Sequence, residues 1–196
     1  MRETLGNRLL KAGYVALPLW LVLPTVAALF VADYSLLASH VSVMTLETGP
    51  AKWLTNMTAI GIGISLIAFG AGVWMVSRRR ISGGALCFIV FGISMISNGL
   101  WPMGSPMHGL YAIGIINILA APLVYMDVHG SVTLPKFHGV TVALSLIGVF
   151  YFWILLTGLD PDGYSGLTQR VFAAVAFLWV ALFVRRWTRL PRDLAL

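Results

Sequence analysis

Six stretches of this sequence, roughly 12–32, 53–76, 83–101, 108–126, 139–157 and 168–186, are long and apolar enough to leave water. A helix needs about 20 mostly apolar residues to cross the hydrocarbon of a bilayer. Within that layer every backbone N–H and C=O must be satisfied inside the protein, which leaves the helix as the default spanning element. Each stretch is bounded by Gly, Pro or charge. The expected fold class is therefore all-α: one domain over residues 1–196, an integral membrane bundle of six transmembrane helices. Composition agrees. Apolar residues make up 59% of the chain and charged residues 10%, where a soluble domain carries about 25% charged. The single cysteine, Cys87, excludes an internal disulfide framework.

A formal charge of +6 invites a nucleic-acid partner, but the placement of the charges argues against one. Arg2, Arg8, Lys11, Arg78, Arg79, Arg80, Lys136, Arg185, Arg186, Arg189 and Arg192 fall on one side of the expected spans, and only Lys52 and Arg170 on the other. That asymmetry is the positive-inside pattern, so both termini are expected in the cytoplasm and the chain in the plasma (inner) membrane. Basic residues beside the inner helix ends suit anionic headgroups, making membrane lipids the first expected partners. The opening "MRETLGNRLLKAGY" reads as the start of a retained first helix, because the apolar run is long and no small-residue cleavage site follows cleanly. Gly61, Gly63, Gly70 and Gly72, then Gly92, Ser94, Ser97 and Gly99, suit close backbone packing between two membrane helices.

The outer connections, 33–52, 102–107 and 158–167, collect the varied polar chemistry. The first brings Asp33, Tyr34, Ser35, His40 and Glu47, and its "SLLASHVSVMTL" is expected as a short amphipathic helix on the membrane surface. The second brings Asn98 and, after Gly104 and Pro106, a helix expected to begin at Met107 or His108. Residues three and four apart on a helix share a face, so His108, Tyr111 and Ile115 would look into the bundle together. The third brings Asp160, Asp162 and Arg170. Arg170 stands where basic residues are avoided and where a helix N-terminus disfavours a cation. It is expected to pair with an outer acid, Asp33 before the others, and the pair would either clamp the loops or belong to a site. His40 and His108 are candidate general bases, and with Asp160 they offer donor types for a divalent metal. No HxxxH, HxxE or CxxC spacing supports a metal site, and nothing in the sequence requires a cofactor.

Three segments together carry a resemblance: "DYS" at Asp33–Ser35, "WPMGSPMHG" at Trp101–Gly109 and "GLTQR" at Gly166–Arg170. They resemble a bacterial integral-membrane family known as domain-of-unknown-function family 998. Its pattern has a Tyr-Ser segment after the first helix, a Phe-Pro motif ending in an acid, a downstream His, and a Gly-Leu-x-x-Arg start to the last of six helices. Here Met103, Gly104 and Ser105 follow Pro102, so the acid is absent. The resemblance implies architecture and no activity.

The leading functional expectation is an outward-facing polar pocket formed by His108, Tyr111, Arg170, Asp33, Tyr34, Ser35, Asp160 and Asn98. It would bind an amphipathic or anionic small molecule or a lipid headgroup, since arginine's fork suits phosphate and carboxylate. The alternatives are a membrane-embedded lipid-active enzyme using His40 or His108, a transporter or channel, and a structural subunit of a membrane complex. Oligomeric state stays open.

Overall fold

A computed structural model describes residues 2–77, 79–110, 112–129, 134 and 137–190. Among these the chain is helical throughout, with no strand: α1 (Arg2–Leu10), α2 (Ala16–Ala28), α3 (Pro50–Val76), α4 (Gly83–Leu100), α5 (Asn117–His129), α6 (Phe137–Thr157) and α7 (Ser165–Thr188). α1 and α2 join through a 3₁₀ turn, Lys11–Val15, into one rod. The tightening follows from Pro18, which has no N–H for the Tyr14 carbonyl and whose ring crowds it. Five helices are long and apolar enough to cross a membrane: Thr4–Ala28, α3, α4, α6 and α7. Ile113–His129 is apolar but shorter.

The short fourth segment is a correction to the sequence expectation. No helix begins at Met107 or His108. Residues 103–110 are turns, and regular helix starts with the 3₁₀ turn Ile113–Ile116. Gly109, Leu110 and Ala112 all have positive φ (71°, 46° and 63°), which a right-handed helix cannot accommodate. The freed carbonyls are taken by α4: Ser97 Oγ donates to the Met107 carbonyl, and Ser94 Oγ to that of Gly109 at 3.1 Å.

α3 lies at the centre, packed on α1, α2 and α4. Its contact with α4 is a seam of glycines facing carbonyls. A Cβ added to Gly63 would lie 2.5 Å from the Gly92 carbonyl oxygen, and one added to Gly92 would lie 2.6 Å from that of Gly63. Gly70 meets the Ala85 carbonyl in the same way, and Gly99 that of Asn56. The contact positions are 56, 63 and 70 on α3 and 85, 92 and 99 on α4, seven apart on each helix. A seven-residue spacing keeps one stripe facing one partner along a shallow left-handed wrap. Lipid gives helices no hydrophobic reason to associate, so close van der Waals approach has to supply it. α1 repeats the device: a Cβ on Gly72 would meet the backbone of Leu10 and Gly6.

Around this spine, Phe69, Phe88, Trp179 and Phe183 form a continuous aromatic cluster at centroid distances of 5.0 to 5.9 Å. Trp179 Nε1 donates to Thr141 Oγ1 at 3.0 Å and ties α7 to α6. α6 is otherwise peripheral. It packs chiefly on α5 and α7, and only Phe137 and Thr141 of its described residues are buried. At the end of the bundle where the chain starts, Trp187 Nε1 donates to Asn7 Oδ1 at 2.8 Å. There the Asp127 carboxylate accepts from Ser82 Oγ at 2.7 Å and Gly84 N at 2.8 Å, capping α4 from α5.

The seam predicts an inverted response to alanine. Gly→Ala inside a helix ordinarily stabilises by about 0.5–1 kcal/mol. Gly63→Ala and Gly92→Ala should instead destabilise by about 1–3 kcal/mol through overpacking, whereas Gly139→Ala in α6, with open space around it, should not. Thermal unfolding in micelles reads all three, and equal behaviour would remove the seam from the account.

Candidate functional site

The polar residues that the sequence gathers at the outer connections divide, in space, into two groups. The first docks a loop. The segment "SLLASHVSVMTL" is not one amphipathic helix: residues 35–39 turn and Val41–Leu46 is 3₁₀, with Val41, Met44 and Thr45 buried and Leu36, Leu37 and Leu46 exposed. The carbonyls of this turn point at the start of α7. Arg170 Nη1 lies 2.9 Å from the carbonyls of Leu36, Ser39 and Gly166. Its Nη2 donates to Tyr34 Oη at 2.6 Å, and the guanidinium carbon sits 5.6 Å from the Tyr34 ring centre. Tyr34 Oη in turn donates to the carbonyls of Ser39 and His40 at 3.1 and 3.0 Å.

The rest of "GLTQR" serves the same docking. A Cβ on Gly166 would strike the backbone of Ser39, so glycine lets the loop touch the helix. Leu167 N donates to the Leu37 carbonyl at 2.8 Å, Ser165 Oγ to that of Ala38 at 2.7 Å, and Val41 N to Gln169 Oε1 at 2.8 Å. Ser35 shapes the turn by accepting from Ala38 N at 3.1 Å.

The expected ion pair is therefore overturned. Among the described residues the partners of Arg170 are three carbonyls and a phenol, with Nε buried and unbonded. Asp33 is exposed with φ of 54° and is not among these partners. Asp160 accepts instead from Thr168 Oγ1 at 2.8 Å. Carbonyl dipoles converging on one guanidinium supply the negative potential that a carboxylate was expected to give. Burial pushes the Tyr34 phenol above its ordinary range, and the Arg170 hydrogen bond and charge draw it partly back. The phenol thus stays the neutral donor the loop uses, and its contribution is lost only as pH rises above that of free tyrosine.

The second group lines a cavity of about 590 Å3 between α2, α3, α4, α5, α6 and α7. Its body is apolar, walled by Phe88, Phe91, Leu144, Phe172, Phe177 and Trp179. Hydrogen-bonding side chains gather where the loops cover it: Ser42, Thr45, Asn98, His108 and Gln169. Leu155 and Leu156 also line it and are 38% and 79% exposed, so it opens sideways along the last turn of α6. His108 Nδ1 lies 2.8 Å from the Trp101 carbonyl. A carbonyl only accepts, so Nδ1 carries the proton and neutral His108 keeps a lone pair on Nε2.

Of the residues expected in one pocket, His108 and Asn98 line this cavity. Arg170, Asp33, Tyr34, Ser35 and Asp160 do not, and neither does His40, whose carbonyl serves the loop. Tyr111 lies outside the described residues. Among the described residues no three of His, Cys, Asp and Glu come together to hold a metal. Gln169 and Ser145 are additions. Gln169 sits beside the conspicuous Arg170 in sequence, while Ser145, a buried hydroxyl with no partner, gives no sequence signal inside an apolar run.

A family model described as "Protein of unknown function (DUF998)" matches residues 14–186. No curated protein and no solved structure matches the chain.

The clamp makes a specific demand on residue 170. Arg170→Ala strands several carbonyls and should cost about 1.5–3 kcal/mol, the range for hydrogen bonds to a charged group. Arg170→Lys should rescue part of this loss, because the three carbonyls converge on the single Nη1 position while Tyr34 Oη, met by Nη2, loses its donor. Limited proteolysis within residues 35–41, with thermal unfolding alongside, checks this; an alanine variant as resistant and as stable as wild type contradicts it.

Proposed function

The chain belongs to the DUF998 family of proteins of unknown function, and we propose that it is a six-span plasma-membrane protein that holds an amphipathic small molecule between its helices. The observation that carries this reading is the cavity of about 590 Å3 with an apolar body and hydrogen-bonding groups at one end. Its size falls within the ~300–1,000 Å3 of ligand sites, and so does its pattern of apolar walls with few polar groups. The sideways opening at Leu155 and Leu156 suits a guest that arrives from lipid rather than water. Arg170 does not serve as an anion receptor in this reading, because its Nη groups are already engaged by the loop.

Gly148 lines the cavity with nothing within 4 Å of its Cβ direction, so a larger side chain there fills the chamber without a clash. Wild-type protein extracted gently from its membrane should carry a bound small amphiphile, seen by native mass spectrometry. Gly148→Phe should lose it while unfolding cooperatively at a similar temperature. Retention of the same molecule by Gly148→Phe would sink the proposal.

Six crossings follow in this reading if Ile113–His129, with the turns before it, spans as the fourth segment. The charge asymmetry then sets both termini in the cytoplasm. In a Cys87→Ser background, an impermeant thiol reagent should label Asp33→Cys and Asp162→Cys in intact cells. Arg80→Cys and Arg189→Cys should react only after permeabilisation. The reverse pattern would invert the topology.

A further inference from the structure

The identity of the guest's head is written in the unused valences of the chamber's polar end, and this step rests on the chamber reading above. No Lys, Arg, Asp or Glu is among the described residues that line the cavity. A charged head carried inside would find no counter-charge, and burying an unpaired ion is far costlier than burying a neutral polar group. Arg170, a helix residue away from Gln169, is withheld by the loop carbonyls.

What remains is a mixed set of neutral donors and acceptors, with the Ser145 and Tyr151 hydroxyls and the Asn117 amide further along the lining. His108 spends Nδ1–H on the Trp101 carbonyl and keeps the Nε2 lone pair. Gln169 spends Oε1 on Val41 N and keeps its amide N–H groups. Asn98 has its Nδ2 against Met95 Sδ at 3.8 Å, a weak contact, and keeps Oδ1 and a second N–H. A Cβ on Gly109 would lie 3.3 Å from that Oδ1, so Asn98 and the His108 turn are adjacent. A carboxylate or phosphate only accepts, so it could take the amide N–H groups but would leave the His108 and Asn98 lone pairs unmet. An ammonium only donates and would confront the Gln169 amide. A hydroxyl donates and accepts at once and satisfies the set.

Size narrows the other end. About 590 Å3 takes one chain with a small head, and a two-chain phospholipid is larger than this. We infer that the chamber selects a single-chain amphiphile with an uncharged, hydroxyl-bearing head, of the fatty-alcohol, prenol or monoacylglycerol class.

Trp20 and Trp179 line the cavity, so a brominated chain seated there quenches their fluorescence. The full chain in nanodiscs is titrated at about pH 8, where the carboxylate and amine probes both carry their charge, with four chain-matched brominated probes: an alcohol, a monoacylglycerol, a carboxylate and an amine. Binding is scored as the quenching that Gly148→Phe abolishes. The alcohol and monoacylglycerol should bind at least about tenfold more tightly than the carboxylate and amine. His108→Phe and Asn98→Leu, tested separately so that one misfolded variant does not end the test, should each shrink that preference to about threefold or less. Equal binding of all four probes overturns the head class and leaves the chamber standing. Preference unchanged in both folded variants overturns the assignment of these two residues. No quenching by any probe that Gly148→Phe removes overturns the chamber itself.

Discussion

The approach of α3 to α4 is the constraint on which the remaining architecture depends. Two apolar helices in lipid gain nothing by hiding from solvent, so their association has to come from contact distance. Gly63 and Gly92 allow each helix to present an α-hydrogen to the other's carbonyl, a geometry that adds weak C–H···O attraction to dispersion. Because the contacts recur every seven residues, the two helices have one register in which all of them form. That register fixes where Ser94 and Ser97 stand, and hence which carbonyls of the following turn they receive. It also fixes the Phe88 and Phe91 wall of the cavity.

The loop-bearing end solves a different problem. A turn pressed onto helix ends at the edge of a membrane has carbonyls with little water to satisfy them, and an unsatisfied buried carbonyl is costly. Arg170 answers with a cluster of donors on one rigid plane, and Tyr34 shares the Ser39 carbonyl with it and relays the demand to one further carbonyl, that of His40. The charge that looks misplaced in the sequence is thus neutralised by dipoles rather than by an acid. This also explains how a cation is tolerated at the start of α7, where the helix dipole opposes it. The clamp roofs the cavity: Gln169, held by Val41 N, is both a loop contact and part of the lining.

Much of the architecture was legible in the sequence because hydropathy is a local property. Four of the apolar runs appear as helices within a few residues of their expected ends, as α3, α4, α6 and α7, whereas the first helical rod starts well before the expected residue 12 and ends at Ala28. The fourth segment was misjudged because its start depends on left-handed residues such as Ala112, which carry no turn signature, and on hydroxyls of the preceding helix. Arg170 stood out by its position, but its partners are backbone groups, and sequence patterns speak only of side chains. The seven-residue spacing of Gly63 with Gly70 and of Gly92 with Gly99 was present in the sequence; its pairing across two helices needed the fold. The cavity was illegible for a related reason. Its walls come from six helices, each contributing residues that look like ordinary core or lipid-facing positions.

The loose attachment of α6 has a mechanical consequence. The glycine seam resists sliding, since Ile96 and Ile67 already seat against Gly63 and Gly92, and a partial shift would drive them onto neighbours that carry a Cβ. The floor of the chamber is therefore stiff, and its compliant wall is α6, which gives most of its surface to the surroundings and continues past Thr157 through Gly158, a positive-φ glycine with nothing packed against it. Moving that wall breaks few protein contacts, so in a bilayer the work is done against neighbouring acyl chains. The lateral pressure of the membrane would then set how readily the chamber opens, making the lipid a component of the gate rather than its backdrop.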